Sequence, residues 1–477
     1  MSSPDAAQPN TNQPNTNQPN IAQPNVAQPT TAAGSRFVGS PAPHGEPPSD
    51  AEVIARGEPA LRGLYDPNAP AGGLPPLSLR TRAQTELNSI EGAYSGWLGG
   101  TGYAHYRTGT SGFDRLTDLE SPFEVSAVLG KTVRATIVTR PILLNNGALN
   151  NTYFQSSTGT IPVLGTLPAN VLVAPPQQNA SGIGGELQLT SRNYALALGF
   201  TPYDFLVGNV IGRGQFRTFK GRLTFYGERD SVKDTQLSYA GMRDPGSATP
   251  FSPGNIWGGV VSTGGGVRLD IGGPRARLYV SGDAADLTGT HVLENTRYGG
   301  QMGASFRVHH WPGHGTLNVG GNFIGMHYEH NEQGMTYGQG GYFSPNVYFL
   351  GSVPVTYSGY SKNNFHYSIA GAAGVQSFQQ AKAPYFPLDV PVQTDFKNPF
   401  TPATSNLGVN YSLNSESAYL FNQHWFLGAF LSANNTNNYN NFSGGFFVRY
   451  LFKSQYTIED YPTGMFPATG MRPLRVP

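Results

Sequence analysis

The chain has 477 residues, of which only 12% are Asp, Glu, Lys or Arg, about half the share usual for a soluble protein. Thirty basic against twenty-nine acidic side chains leave a net charge of +1, no electrostatic footing for nucleic acid, and the absence of cysteine excludes disulfides and thiolate metal sites. Glycine (61) and proline (38) make up about a fifth of the chain, and no apolar run approaches the roughly 18 residues of a transmembrane helix.

Residues 8–32 repeat with a period of five, QPNTN QPNTN QPNIA QPNVA QPTTA, a pattern that cannot bury enough apolar surface to offset its ordering entropy. Residues 1–80 therefore read as a disordered, Pro/Asn/Gln-rich periplasmic tail. It is interrupted only by SDAEVIARGEPALRGL (residues 49–64), where Ser49 or Asp50 caps a helical turn or two before Gly57 and Pro59 end it. The start, MSSPDAAQPN, carries neither the basic residues nor the apolar core of a signal peptide.

From about residue 81 to 455 the texture changes to segments of ten or so residues that alternate apolar with small or polar side chains. That rhythm is the signature of an all-β transmembrane barrel, one face of each strand meeting lipid and the other a polar lumen. Over residues 219–228, Phe219, Leu223 and Phe225 share one face, and Arg222, Thr224, Tyr226 and Glu228 the other. Over residues 275–283, Ala276, Leu278 and Val280 oppose Arg275, Arg277, Tyr279 and Asp283. The split recurs over 365–371 and again over 446–452, where Phe446, Val448, Tyr450 and Phe452 oppose Gly445 and Arg449.

Short turns at 191–193, 220–221, 272–274, 311–314, 362–364 and 422–424 are assigned to the periplasmic side. Long connections fall near 107–118, 231–256, 285–295, 329–342 and 379–411, and the gap at 200–204 is a tight exception. Fifteen strands can be named, and a bacterial barrel with both ends periplasmic needs an even number. Parity places the sixteenth within 141–182, with TIPVLGTLPANVLVA (residues 160–174) the best candidate. In YFSPNVYFLGSVPVTY (residues 342–357), Pro345 falls at a strand entry and Pro354 near the periplasmic end, where a bulge would absorb the lost donor. Residues 456–477 read as a C-terminal periplasmic extension. A soluble β-sandwich or propeller is the competing architecture, and charge scarcity and strand length argue against it.

The same stretch, with NNFHYSIAGAAGVQSF and APYFP after it, closely resembles the C-terminal barrel domain of the bacterial cellulose synthase operon protein C family, outer-membrane channels of cellulose export. SGFDRLTDLESPFEVS, GFTPYDF, SYAGMRDP with WGGV, and HVLENTRYGG resemble that family's motifs in the same order, over about residues 90–455. The resemblance implies a sixteen-stranded outer-membrane barrel that exports cellulose or a related glucan. It departs in one respect: the 34-residue helical repeats that usually precede the barrel have no counterpart in this sequence. A proline-rich tail of about 75 residues averages roughly 50 Å as a flexible coil, the reach of a tether and not a conduit. The expected partners are therefore the glucan, outer-membrane lipid, a separate periplasmic repeat scaffold and the inner-membrane cellulose synthase complex, and no nucleic acid.

A sliding neutral glucan needs many weak contacts, because binding must permit both entry and exit. Alternation turns Arg134, Arg222, Tyr226, Glu228, Arg275, Arg277, Tyr279, Asp283, Arg307, His366 and Arg449 toward the lumen, either to touch glucan or to brace the wall by pairing. Among the loops, Tyr239, Asp244, Trp257, Tyr328, Tyr337 and Tyr342 are candidates for an extracellular gate, while Trp257 and Tyr342 could equally belong to the outer aromatic girdle. His309, His310 and His314, and His327 with His330, lack carboxylate or cysteine partners at ligand spacing, so neither metal nor cofactor is expected. Glu228 with Asp230, and Glu329 with Glu332, are the near carboxylate pairs a glycosidase would use, but there is no GxSxG or GxxxxGK[ST], and no catalytic residue is assigned. A general diffusion porin and an outer-membrane hydrolase are the alternatives.

Overall fold

Period-two alternation produces one closed sheet in this computed structural model. It describes residues 94–455 except 131, 149–161, 169–177, 192, 220, 245–253, 274, 313, 362–363 and 437–438, together with residues 87 and 458. The expected tail with its helical turn at 49–64 lies outside the described residues, as does the C-terminal extension apart from Ile458.

Sixteen antiparallel strands run up and down in chain order. The first is β1 (Trp97–Arg107). The next, β2, is drawn in two parts (Leu116–Glu120 and Phe123–Leu129) because Pro122 interrupts its ladder, although the register against β1 is the same on both sides. Then come β3 (Val133–Asn145), β4 (Asn179–Thr190), β5 (Tyr194–Phe200), β6 (Val210–Thr218) and β7 (Leu223–Ser231). Longer strands follow: β8 (Ile256–Gly272), β9 (Ala276–Thr290), β10 (Asn295–Trp311) and β11 (Gly315–Tyr328). The wall is completed by β12 (Val347–Ser361), β13 (Phe365–Gln380), β14 (Thr404–Phe421), β15 (Trp425–Thr436) and β16 (Tyr439–Leu451). β16 pairs back onto β1 from Trp97↔Leu451 to Arg107↔Asn441, so no edge is left open. No described helix is long and apolar enough to cross a membrane; the strands make the crossing.

The outward residues form an apolar belt. Leu98, Ile137, Leu198, Phe225, Leu278, Val280, Phe306, Val353, Leu413, Leu431 and Phe446 are all exposed, while their neighbours one residue away turn into the lumen. In water such a surface would aggregate; in a bilayer it is the solvent-matched face.

All six short turns read from the alternation are present, and a seventh at 130–132 joins β2 to β3. The expected sixteenth strand at 160–174 is a misassignment. Sixteen is reached without it, and the described part, Pro162–Leu164 and Leu167–Pro168, is a small hairpin apart from the wall. Its Leu164 is fully buried in a loop core and does not meet lipid. The connection expected near 285–295 shrinks to residues 291–294, because β9 and β10 extend above the membrane belt, and the tight gap at 200–204 is a longer loop, 201–209.

Pro345 lies two residues before β12, where its carbonyl accepts from Tyr328 N at 3.0 Å. Pro354 sits mid-strand with no bulge beside it. The β11–β12 register is identical at Val319↔Val355 and Asn322↔Ser352, and the ladder simply skips the pairs between. Opposite stand Gly320 and Gly321; a Cβ on Gly320 would lie 3.4 Å from Pro354 Cγ, so the small residues accept the ring and the missing donor together.

Candidate functional site: the lumen and its lid

Three polar networks line the wall, each spread across neighbouring strands because inward residues on adjacent strands stand side by side. At the short-turn end, Arg449 Nε donates to Glu124 Oε1 at 2.8 Å. Trp97 is held between two guanidiniums, Arg134 at 4.1 Å and Arg449 at 4.5 Å from its ring, and Arg134 also donates to Ser95 O at 2.9 Å.

The second network joins β8 to β11. Asp270 takes both Arg268 and Arg277 at 2.9 Å, and the Arg268 guanidinium lies 4.2 Å over the Tyr279 ring. The Tyr279 hydroxyl donates to Asn322 Oδ1 at 2.5 Å and accepts from Gln301 Nε2 at 3.2 Å. Higher on the same strands Asp283 pairs with Arg297.

The third network runs around β2 to β7. Glu120 is 3.4 Å from Arg140 and 3.5 Å from Lys233, Arg213 pairs with Glu186 and stands 3.8 Å from Asp230, and buried Asp118 lies beside them on β2. Positive and negative groups are mixed in every network, so the lumen is polar without being dominated by one sign of charge, a surface suited to a neutral hydroxylated guest.

Of the sequence-assigned lumen residues, Arg134, Tyr226, Glu228, Arg277, Tyr279, Asp283, Arg307, His366 and Arg449 stand on inward positions of the wall. Arg222 and Arg275 sit in short turns and are exposed at the rim. Glu120, Glu124, Arg140, Glu186, Arg213, Arg268, Asp270 and Arg297 complete the networks and were not singled out from sequence. The same inward parity would have found them, since it applies to every strand alike.

At the opposite end the long connections fold into a lid. Helix α1 (Gln236–Ala240) is capped by Thr235, whose Oγ1 accepts from Ser238 N at 3.1 Å and donates to Gly341 O at 2.9 Å. A second short helix, α2 (Val390–Asp395), is capped by Asp389. Between them lies an apolar core of Leu237, Met242, Trp257, Met335, Phe343, Tyr348 and Phe378, among others. The gate candidates are found here: Trp257 is 0% exposed, Tyr342 1%, Tyr239 2%, Tyr328 4% and Asp244 4%. Trp257 and Tyr342 are thus core residues of the lid and not members of a lipid-facing girdle. Tyr337 packs at the margin, 5.8 Å from Trp257, and Asp244 holds the 162–168 hairpin by accepting from Thr166 N and Oγ1 at 3.0 and 2.7 Å.

Arg107, at the top of β1, fastens lid to wall. Fully buried, it donates to Asp234 O at 2.7 Å and Asp114 O at 3.1 Å and lies 4.3 Å over the Tyr439 ring. Asp234 Oδ2 in turn accepts from Phe343 N at 3.1 Å. Glu332 is also enclosed in the lid. Burial pushes its carboxyl well above the usual range, and the Gly340 backbone and Tyr342 side chain act more weakly in the other direction. Glu329 is exposed and does not face it, so that carboxylate pair forms no cleft. Among the described residues no group of three potential metal ligands occurs.

Residues 114–453 match the family described as the C-terminus of cellulose synthase operon protein C. Cellulose synthase operon protein C of Pseudomonas fluorescens (strain SBW25) is 30% identical over 394 residues, covering 80% of this chain and 29% of that protein. Cellulose synthase 2 operon protein C of Komagataeibacter xylinus is 33% identical over 298 residues, covering 61% and 22%. The chain thus spans less than a third of the length of these curated relatives. Among solved structures, one described as a bacterial polysaccharide outer membrane secretin shares 11% identity at a TM-score of 0.46, covering 76% of this chain and 99% of that one.

Proposed function

The chain belongs to the family of the cellulose synthase operon protein C C-terminus, and from that premise we propose that it is the outer-membrane channel through which cellulose or a related glucan leaves the cell. The observation that carries this reading is the pairing of a closed sixteen-stranded wall, polar and charge-balanced inside, with a lid that packs over one end.

A glucan presents hydroxyls at its edges and C–H faces above and below, and it must slide without being held. Side chains already committed to one another suit that duty. Arg277, Asp283 and Arg449 keep their ion pairs and Tyr279 its bonds to Asn322 and Gln301, offering only leftover donors and acceptors, while Tyr226 and Glu228 supply a hydroxyl and a carboxylate that exchange with water. Arg307 extends this inner surface, and Arg222 and Arg275 ring the periplasmic rim. In the lid, Tyr239, Trp257, Tyr328 and Tyr342 act by packing, Asp244 and Tyr337 by tying loops together; glucan passes when that packing parts.

The whole machine in which the glucan is made includes the inner-membrane synthase complex and a periplasmic scaffold that hands the strand to this barrel. The test is planar-bilayer recording of the purified full chain. Openings obstructed by cello-oligosaccharides support an export channel. Conductance indifferent to them, with free passage of unrelated small solutes, would make it a diffusion porin.

A further inference from the structure

One sector of the inner wall is not polar. At the short-turn end Trp97 of β1, Ala418 and Leu420 of β14, Phe426 and Phe430 of β15, and Phe447 and Leu451 of β16 all turn into the lumen and are less than a tenth exposed. Their neighbours Leu98, Leu427, Leu431 and Phe446 face outward and are exposed, so these strands are apolar on both faces. That breaks the barrel rule of a wet interior. Tyr103 lies parallel to Phe430, centroids 6.0 Å apart at 16°, and Tyr360 packs at the edge. Next to the patch, Arg449 and Glu124 provide hydrogen-bonding groups at the level of Trp97.

What covers the patch is the chain itself. Past β16 the backbone crosses the rim: Phe452 N donates to Gly96 O at 3.0 Å, Lys453 N to Ser95 Oγ at 2.9 Å, and Gln455 N to Gln423 O at 2.7 Å. Along this path Phe452 is 59% exposed, Gln455 is 6% exposed, and Ile458 is 0% exposed within the apolar cluster. We propose that the patch is a carbohydrate-stacking entry site for the flat faces of a β-linked glucan, and that Ile458 is its resident cover, displaced when the glucan arrives. The substrate class rests on the channel reading above; the site itself rests on the inward aromatics and on Ile458.

The chemistry favours a sugar face over other guests. Offset aromatic rings with polar groups at their border match a pyranose, whose C–H face is apolar and whose hydroxyls lie at the rim. A β-1,4 chain is a flat ribbon and can lie along Phe426 and Phe430, with Trp97, its ring flanked by Arg134 and Arg449, closing the end of the patch; an α-linked chain coils and cannot keep successive faces on one wall. An aliphatic side chain is a cover that can leave, since it has no polar bond of its own to break.

The test is calorimetric titration of the detergent-purified full chain with cellohexaose and, separately, maltohexaose, after unboiled gels have shown the barrel intact. Ile458→Asp should bind cellohexaose at least about fivefold more tightly than the parent, and adding Phe430→Ala should remove that gain, with maltohexaose unaffected throughout. Equal cellohexaose affinity in the parent and Ile458→Asp would overturn the cover while leaving the channel reading intact. A gain shared by maltohexaose would overturn the flat-glucan site. No cellohexaose binding to any variant would overturn this inference and count against the glucan channel as well.

Discussion

Replacing Trp257 by alanine tests whether the lid is the gate. Trp257 is fully enclosed and packs against the Tyr337 ring at 5.8 Å. Truncating a buried aromatic to alanine costs about 3–5 kcal/mol. Its indole N–H, however, has no partner among the described residues, and removing an unsatisfied buried donor returns about 1–3 kcal/mol. At their mid-values the two terms leave a net loss of about 2 kcal/mol, which multiplies the open-to-closed ratio roughly 30-fold at about 1.4 kcal/mol per decade. In planar bilayers the variant should spend correspondingly more time open. Trp257→Phe, which keeps most of the ring and deletes the N–H, should open no more often than the parent. An alanine variant with unchanged open time and an intact, heat-modifiable barrel would refute the assignment, because the packing broken would then not be what closes the pore.

Arginine at Ile137, five residues up β3 and 58% exposed on the outer face, should cost about 2–4 kcal/mol and deplete the fast-migrating unboiled band, whereas Asp at Leu278, third in β9, should cost less than about 1 kcal/mol near the interface; Tyr279→Ala should leave insertion intact and change conductance. Because burial raises the Glu332 carboxyl above its ordinary value near 4.5, the closed lid binds that proton more tightly than the open one. Closure is therefore fully favoured below about pH 4.5 and weakens as pH rises toward the raised value. Open time recorded from pH 4.5 to 8 should climb, and Glu332→Gln should flatten the climb. Deleting residues 1–48 should leave barrel assembly and conductance unchanged; loss of the heat-modifiable band would make that segment structural.

The sequence by itself determined the wall. Alternation is a local property, readable within ten residues, and it placed Leu278 and Val280 outward and Arg277 and Tyr279 inward because adjacent side chains on a strand have no other choice. Glycine- and asparagine-rich turns marked most strand ends for the same reason. The turn at 130–132 escaped because its one strong turn residue, Gly130 at φ +65°, is one of 61 glycines, many of them inside strands, and residues 160–174 were misread because an apolar run looks alike whether lipid or a loop core receives it. Only the tertiary structure could decide the rest. Whether Trp257 meets lipid, glucan or Tyr337 depends on contacts across some eighty residues of chain, and whether Phe430 lines a wet pore or a covered patch depends on Ile458 returning to it. Burial is set by what arrives from far along the chain, and no local pattern in the sequence carries that information.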